Sequence, residues 1–485
     1  YSTAGEYVVV SNLQLGQNNN NVGGYLTKAT IYYLTKPYAM FYACSKLTNV
    51  TLTDNWVELF NVLNETNGYT CESMFYSCKR LSTLDTTQIC KMKNIASMKN
   101  MFSGCSSLIE LDLSGFDSTK VTDLQNTFSG CNALTSLNLD GLDLSLVTTM
   151  ASMCNNCYGL TTFTPPKNNT NSLKILQDTF RNTRLLNYDF LNDWNLDQVT
   201  SFSACLHSCA KMTSFSFKNK HLPSTTNLQY MFSGCTNLQT VDLSGLTVDK
   251  NVGLLEMFRD CKSLTSVDFS NSTIKPTSCA NMFQGCSSLT SLDLSSWNTS
   301  SCTNMSNMFS DCGVTTLNLK GWNTSKVKDM IKTFANMANI TTLDLSHFDT
   351  SNVTNMQYVI TNCPKLTYID VSSFTRKTSS TIIDFLFLDN PSLESIDISN
   401  LDMTNMSTYM FRNSSKLKAI GMLYSSAESI NKLVASGFHK TEQRNGITIY
   451  YYDADPSQLT PVEGVTFKKY QNPTTIQLPP HIQLH

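Results

Sequence analysis

The sequence is poor in charge. Charged residues make up 15% of its 485 residues, and the formal net charge is −2, against about 25% charged residues in an average domain. No cluster of Lys and Arg builds the electrostatic footprint that nucleic-acid binding needs. No apolar run approaches the roughly 20 residues of a membrane span. We therefore expect a polar, weakly charged surface, no nucleic-acid partner and no membrane span.

The signatures of common enzymes are missing as well. The sequence has no His-Glu metalloprotease pair, no phosphate-binding Gly-Lys loop and no Gly-x-Ser-x-Gly elbow. Cys154 and Cys157 have the spacing of zinc ligands, but no second pair or histidine follows at a suitable interval. We therefore predict no enzymatic activity, no catalytic residues, no cofactor and no metal site.

Internal repeats are what the sequence has instead, and a fixed period takes precedence over other signals of fold. Residues 283–309 read FQGCSSLTSLDLSSWNTSSCTNMSNMF, and the same order of residues recurs along the chain in steps that are mostly 25–27 residues long. We align about 15 units on one aromatic or aliphatic position: Phe41, Phe75, Phe102, Phe128, Cys154, Phe180, Leu206, Phe232, Phe258, Phe283, Phe309, Phe334, Ile360, Leu388 and Phe411.

Each unit contains the elements of one coil of an α/β solenoid. Residues 291–295, SLDLS, alternate polar and apolar, which is typical of a half-buried strand. Val327, Met330 and Phe334 stand three and four residues apart, which predicts one face of a short helix. In 12 units the residue two past the aligned position is Gly, Asn or Asp, the types that tolerate the left-handed conformation at a helix end: Gly104, Gly130, Asn156, Asn182, Gly234, Asp260, Gly285, Asp311, Asn336, Asn362, Asn390 and Asn413.

Eleven of the 17 cysteines occupy one position of the repeat: Cys44, Cys78, Cys105, Cys131, Cys157, Cys209, Cys235, Cys261, Cys286, Cys312 and Cys363. Identical positions of stacked coils direct their side chains the same way, which is a poor geometry for a disulfide between neighbours. We therefore predict a ladder of buried thiols, in which Thr183, Met337, Pro391 and Ser414 replace the cysteine in four units.

The two ends of the chain depart from the repeat. Residues 1–37 contain a strand-like run, Glu6 to Val10, and a predicted turn over residues 18–24, and we assign them to an N-terminal cap. The solenoid covers residues 38–422. Residues 423–485 form a predicted C-terminal cap and tail, with a helix over 425–437 and a strand over 447–452. Because the chain begins at Tyr1 rather than Met, we expect a processed or shortened form of a longer product.

The repeat M-F-x-G-C-x-x-L-x-x-L-D-L-S-x-[FW]-[DN]-T-S-x-V-x-x-M resembles the roughly 26-residue surface-protein repeat of the BspA-like leucine-rich-repeat proteins, over residues 38–422. The resemblance implies a right-handed α/β solenoid with parallel strands on the concave face, short helices on the convex face and a cap at each end. It also implies a secreted or cell-surface protein of adhesin type. At residues 164–166 Thr-Pro-Pro interrupts the strand pattern, so we expect a break in the sheet there.

The candidate binding residues lie on the predicted strands. The position between the two leucine-type residues is predicted to be exposed and is usually aspartate, and parallel strands lie ~4.8 Å apart, so successive carboxylates form a like-charge row. Neighbouring hydroxyls, raised pKa values, cations or a basic partner would each relieve the repulsion. The row includes Asp85, Asp112, Asn138 and Asp189, and its best candidates, with neighbouring residues, are Asp242, Asp268, Asp293, Asn318, Asp344, Asp370, Asp397, Ser291, Ser295 and Tyr368. We call the seven Asp and Asn residues from Asp242 to Asp397 the acidic row.

These observations predict a non-enzymatic surface or secreted protein that recognises an extracellular protein or glycan through the acidic row. A structural component of a fibre, virion or other surface assembly is the alternative, and a glycan-acting enzyme with paired carboxylates is a third hypothesis. The sequence leaves the oligomeric state and the identity of the partner open.

Overall fold

The structure is a computed structural model that describes residues 6–9, 26–31, 37–167, 169–378, 380–406, 409–438 and 446–470. The chain divides into two compact units, Tyr1–Leu238 and Gln239–His485. Each unit is a stretch of parallel β-solenoid, and together they hold about 13 turns. In the part of the chain that the structure describes, no helix has the length and hydropathy needed to cross a membrane.

The first unit holds two three-stranded parallel sheets, in the orders β1-β2-β3 and β4-β5-β6. Its α-helix, α1, covers Asp54–Asn67, begins after Thr53 and ends at Gly68 in the left-handed conformation. Its strands are β1 Glu6–Val9, β2 Lys28–Ile31, β3 Asn49–Leu52, β4 Glu110–Asp112, β5 Ser136–Asn138, β6 Thr162–Thr164, β7 Ser214–Ser216 and β8 His221–Leu222.

The second unit holds the pairs β9-β12, β11-β13 and β14-β15, and a parallel sheet in the order β16-β17-β18-β19-β20-β21. Its α-helix, α2, covers Ala427–Ala435. Its strands are β9 Thr240–Asp242, β10 Thr247–Val248, β11 Val252–Gly253, β12 Ser266–Asp268, β13 Pro276–Ser278, β14 Ser291–Asp293, β15 Thr316–Asn318, β16 Thr342–Asp344, β17 Tyr368–Asp370, β18 Ser395–Asp397, β19 Ala419–Gly421, β20 Ile447–Tyr451 and β21 Val465–Lys469.

The strands confirm the alternation read from the sequence. Ser291 and Asp293 of β14 are exposed while Leu292 between them is buried. The aligned aromatic residues stack in the core, for example Phe258 on Phe283, with ring centroids 5.5 Å apart and ring planes within 5°. Consecutive coils therefore bury one apolar column behind the strands, as a parallel solenoid requires.

The short helices predicted just before the aligned residues are wrong wherever the structure describes these segments, and α1 lies earlier in its coil. The segment containing Met330 and Phe334 is a run of turns. The amides of Met330, Lys332 and Phe334 donate to carbonyls of the next coil, while Thr333 donates to the carbonyl of Met330. Lys332 also has φ +53°, whereas an α-helix needs negative φ throughout and a bond from each amide to the carbonyl four residues back. The inward residues Val327, Met330 and Phe334 thus stand three and four residues apart because successive turns repeat, and not because a helix does.

The predicted left-handed positions are confirmed in 11 of the 12 units, with φ between +52° and +76°. The exception is Asn390, because the sequence alignment is one residue out in that unit. Phe387, rather than Leu388, is buried and stacks on Phe411, and Asp389 has the positive φ. Asn390 therefore occupies the ladder position that the sequence analysis gave to Pro391.

The cysteine ladder is confirmed, since all 17 thiols are free and the 11 predicted members are buried. The structure adds a partner for most of them. In eight of the eleven, the thiol donates to the carbonyl of the aligned residue one coil earlier, as Cys105 Sγ does to Phe75 O at 3.1 Å and Cys286 Sγ to Phe258 O at 3.1 Å. The ladder therefore joins neighbouring coils by weak hydrogen bonds as well as by packing.

At the C-terminal side, α2 and β20 confirm the predicted helix and strand. Ser426 caps α2 by accepting from the amide of Ser429 at 3.1 Å, and Gly437 beyond its end has φ +73°. Strand β1 confirms the first predicted strand over Glu6–Val9. Residues 10 and 18–24 lie outside the described residues, and the assignment of 1–37 and 423–485 as caps stays a prediction.

Candidate functional site

Each residue of the acidic row is the last residue of a short strand in the second unit. Asp242 lies beside Asp268 on β9 and β12, and Asp293 lies beside Asn318 on β14 and β15. Asp344, Asp370 and Asp397 follow one another on β16, β17 and β18. The structure thus brings the predicted residues into lateral register within each of these sheets.

An Asx turn fixes each row residue. Oδ1 of Asp293 accepts from the amide of Ser295 at 3.0 Å and from its hydroxyl at 2.6 Å, and Asp344 makes the same pair of contacts with Ser346. Asn318 accepts only from the amide of Lys320, at 3.1 Å. The carboxylates are therefore held by the turn that ends their own strand, in the manner typical of Asp and Asn in turns.

These contacts relieve the charge repulsion that the sequence analysis anticipated. The hydroxyl of Ser295 and then its amide lower the pKa of Asp293, because both hydrogen bonds favour the ionised form. The Thr87 hydroxyl and amide do the same for Asp85 in the first unit. The expected hydroxyl solvation is thus present, and it comes from the residue two positions along the same coil.

The expectation that the whole row is exposed is wrong at its C-terminal end. Asp293 and Asp344 are exposed, whereas Asp370 and Asp397 are only 3% and 0% exposed. Oδ1 of Asp397 accepts from Ser399 at 2.5 Å, and Oδ2 has no partner in the structure. Burial raises the pKa of Asp397, the Ser399 hydrogen bonds oppose that shift, and the charge of Asp370 adds to it.

A group of tyrosines lies near the buried end of the row. Tyr368 packs with Tyr452 and Tyr470 against a buried cluster of Ala419, Leu423 and Tyr450. Burial first, and then the nearby carboxylates of Asp370, Asp397 and Asp344, raise the pKa of Tyr368. Tyr368 is therefore half-buried at the boundary between the exposed and the buried parts of the row, and not a free aromatic anchor.

Asp189 does not belong to the row. It begins a 3-10 helix, Asp189–Asn192, in the coil after β6. The Thr-Pro-Pro sequence leaves β6 itself intact, and β6 is the last strand of its sheet. The expected break in the sheet is therefore present, one coil later than the prolines.

The exposed part of the row borders a shallow depression between β14 and β15. Ser291 and Asp293 line one side, Thr316 and Asn318 line the other, and Leu292 and Leu317 contribute to its surface. Its surface offers hydroxyl, amide and carboxylate groups in fixed positions. Such an arrangement suits several modest hydrogen bonds to a protein or glycan rather than a deep ligand pocket.

The other candidate sites lie in the core. Cys157 Sγ donates to Phe128 O at 3.1 Å, and Cys154 beside it is buried. Trp297 and Trp322 are also buried, at 3% and 4% exposure. Among the described residues, no group of three or more His, Cys, Asp or Glu side chains is placed to hold a metal ion.

Several solved structures are similar to the chain. One is a leucine-rich repeat protein from Bacteroides ovatus, with 13% identity, a TM-score of 0.40, and 92% of this chain and 85% of that chain covered. Another is a leucine-rich cell surface protein from Faecalibacterium prausnitzii, with 18% identity, a TM-score of 0.27, and 81% and 78% covered. A third is an internalin from Listeria monocytogenes, with 13% identity, a TM-score of 0.19, and 78% and 84% covered.

Comparison with curated proteins gives no match. A family model described as "Mycoplasma protein of unknown function, DUF285" matches residues 69–169, 166–272, 226–342, 277–394 and 328–443. These overlapping matches follow one another along most of the repeats. The chain therefore belongs to the DUF285 family.

Proposed function

We propose that the chain is a non-enzymatic surface or secreted protein that binds an extracellular protein or glycan through the acidic row. The observation that supports this most is the set of Asx turns, which hold exposed carboxylates and hydroxyls in fixed orientations at the ends of neighbouring strands. A rigid set of polar groups loses little conformational entropy on binding, so modest contacts can add up to useful affinity.

The proposed contact surface is the exposed part of the row. It comprises Asp268, Asp293, Asn318 and Asp344 with Ser291, and Ser295 contributes as the group that orients Asp293. Asp370 and Asp397 are not part of this surface, because both are buried. The resemblance of the repeat to the BspA-like proteins implies that the strands line a concave face, and that resemblance is our reason for proposing that the protein lies outside the cell.

Replacing aspartate by asparagine tests this surface without disturbing the turns. Asparagine keeps the Oδ1 acceptor, as Asn318 does in its own coil. The triple variant D268N/D293N/D344N therefore removes three charges and leaves the fold in place. The matched control is D349N/D402N/D455N, which removes the same charge from aspartates that make similar contacts to Ser351, Thr404 and Ser457.

Binding would be measured on a glycan array and on immobilised extracellular-matrix proteins. We expect the wild-type chain and the control variant to bind the same probes, and the row variant to lose tenfold or more in affinity. Equal binding by the row variant would remove this surface from consideration. Absence of binding to every probe by the wild-type chain would count against the proposed function.

A further inference from the structure

Two cysteines of the second unit differ from the ladder in their surroundings. Cys279 and Cys302 lie with their sulfur atoms 4.0 Å apart. The ladder thiols instead donate to main-chain carbonyls, as Cys363 Sγ does to Phe334 O at 3.2 Å. Thiol-to-thiol contact between neighbouring coils therefore distinguishes this pair.

The repeat explains why these two side chains meet. Cys279 lies four residues before the aligned residue Phe283, the position that Met305 and Met330 occupy in the next coils. Cys302 lies seven residues before Phe309, the position of Val327 in the coil that follows. Because the pair comes from different repeat positions on adjacent coils, its side chains converge, whereas the ladder thiols run parallel.

We propose that Cys279 and Cys302 form a disulfide when the protein meets a two-electron thiol oxidant, and that the ladder thiols do not. The S–S bond of a disulfide is about 2.05 Å long, so the two sulfur atoms must approach by about 2 Å. Both side chains are buried, at 0% and 1% exposure. The reaction therefore requires a local opening of the coil and is slow compared with the oxidation of an exposed thiol.

The reactivity of the two thiols favours the same pair. The hydrogen bond with Cys279 lowers the pKa of Cys302, because it stabilises the thiolate. Burial raises the pKa of ladder thiols such as Cys131 and Cys286. The thiolate is the nucleophile in thiol chemistry, so Cys302 is the attacking group and Cys279 the resolving one.

Diamide, an electrophilic diazene, is a suitable oxidant because it is small. The Cys302 thiolate adds to one nitrogen of the N=N bond, and the Cys279 thiolate then attacks Cys302 Sγ and displaces the hydrazine. One S–S bond forms, two S–H bonds break, and the two protons and two electrons end on the hydrazine. The bond would close a loop that contains all of β14, and with it Ser291, Asp293 and Ser295.

The experiment treats the native full chain with diamide, alkylates the remaining thiols and maps the peptides without reduction by mass spectrometry. We expect one cross-linked peptide, joining Cys279 to Cys302, and alkylated ladder cysteines. The oxidised chain should also melt a few degrees higher than the reduced one, because the cross-link restricts the unfolded state. Reductant should reverse both effects.

The repeat itself supplies variants that should fold. C302V introduces the residue of the corresponding position at Val327, and C279M introduces that of Met305. Both variants should lose the cross-link and the shift in melting temperature. C105A, in the ladder of the first unit, should keep both. Far-UV circular dichroism checks that each variant is folded. Recovery of Cys279 and Cys302 as alkylated thiols after diamide treatment would overturn the proposal, and so would ladder disulfides formed at equal yield.

Discussion

Asn390 is the residue on which the hydrogen-bond network of the core can be tested most directly. Its side chain is fully buried. The amide nitrogen donates to Ile360 O at 2.8 Å and to Phe387 O at 2.9 Å, and the amide oxygen accepts from Cys363 N at 3.0 Å. Asn390 therefore joins two coils by hydrogen bonds at a position where other coils carry a thiol.

The cost of removing this side chain follows from those three contacts. Each buried hydrogen bond contributes about 1 kcal/mol net, and a buried group left without a partner costs ~1–3 kcal/mol. Asn390→Ala loses all three contacts and leaves the Cys363 amide unpaired, so we expect the free energy of unfolding to fall by about 3–5 kcal/mol. Asn390→Cys restores the thiol-to-carbonyl bond of the ladder and should lose roughly half as much.

Urea unfolding followed by circular dichroism and by tryptophan fluorescence would measure both variants. Two probes are needed because repeat arrays can unfold less cooperatively than small domains. The order of stability should be wild type, then N390C, then N390A. A loss below about 0.5 kcal/mol for N390A, or N390C less stable than N390A, would refute the assignment of Asn390 to the ladder.

Three further predictions concern individual side chains. Burial raises the pKa of Asp397 in the folded chain above its ordinary value in the unfolded chain, so the folded state holds the proton more tightly. The free energy of unfolding should therefore fall as the pH rises from the pKa of the unfolded chain to that of the folded chain. D397N should remove this slope in urea titrations at pH 4–7. Gly285 has φ +76°, and a Cβ added there would lie 2.6 Å from Asp260 Oδ1, whereas a Cβ added at Gly115 would lie 3.6 Å from its nearest neighbour. G285A should therefore lower the free energy of unfolding by ~1–3 kcal/mol in thermal or urea unfolding, and G115A should lower it much less. Equal losses would contradict the left-handed requirement. Asp293→Ala should lower the urea midpoint more than D293N, which keeps the Asx acceptor.

The repeat made much of the fold predictable from the sequence. Gly285 and Asn336 were assigned to left-handed positions because their residue types recur two positions after the aligned one, and both have positive φ. Cys286 and Leu292 were assigned to the core on the same ground. A repeated position carries many independent observations of one environment, so single exceptions do not obscure it.

Two errors arose where the signal was short. Met330 and Phe334 are four residues apart, and over so few residues a run of turns cannot be told from a helix with 3.6 residues per turn. Leu388 was aligned in place of Phe387 because the spacing of the coils changes there. Local spacing therefore predicts which residues face inward better than it predicts the backbone between them.

The environment of the candidate site depended on contacts that are remote in sequence. Asp293 and Asp397 have similar neighbours in their repeats, SLDLS over 291–295 and SIDIS over 395–399, yet one is exposed and the other fully buried. In the tyrosine cluster, Tyr368 lies on a repeat strand, whereas Tyr450 and Tyr470 lie beyond the repeats. The contact between Cys279 and Cys302 likewise joins two positions that no repeat column connects.

The Asx turns and the thiol ladder differ in how far their contacts reach along the chain. Asp293 is held by Ser295 of its own coil, whereas Cys286 bonds to Phe258 of the coil before. Substitutions of row residues on coils that are not adjacent should therefore combine additively, while ladder substitutions on adjacent coils should not. Because each surface residue is oriented by its own coil, recognition residues can be substituted one at a time. The core, whose hydrogen bonds join neighbouring coils, needs no compensating substitutions.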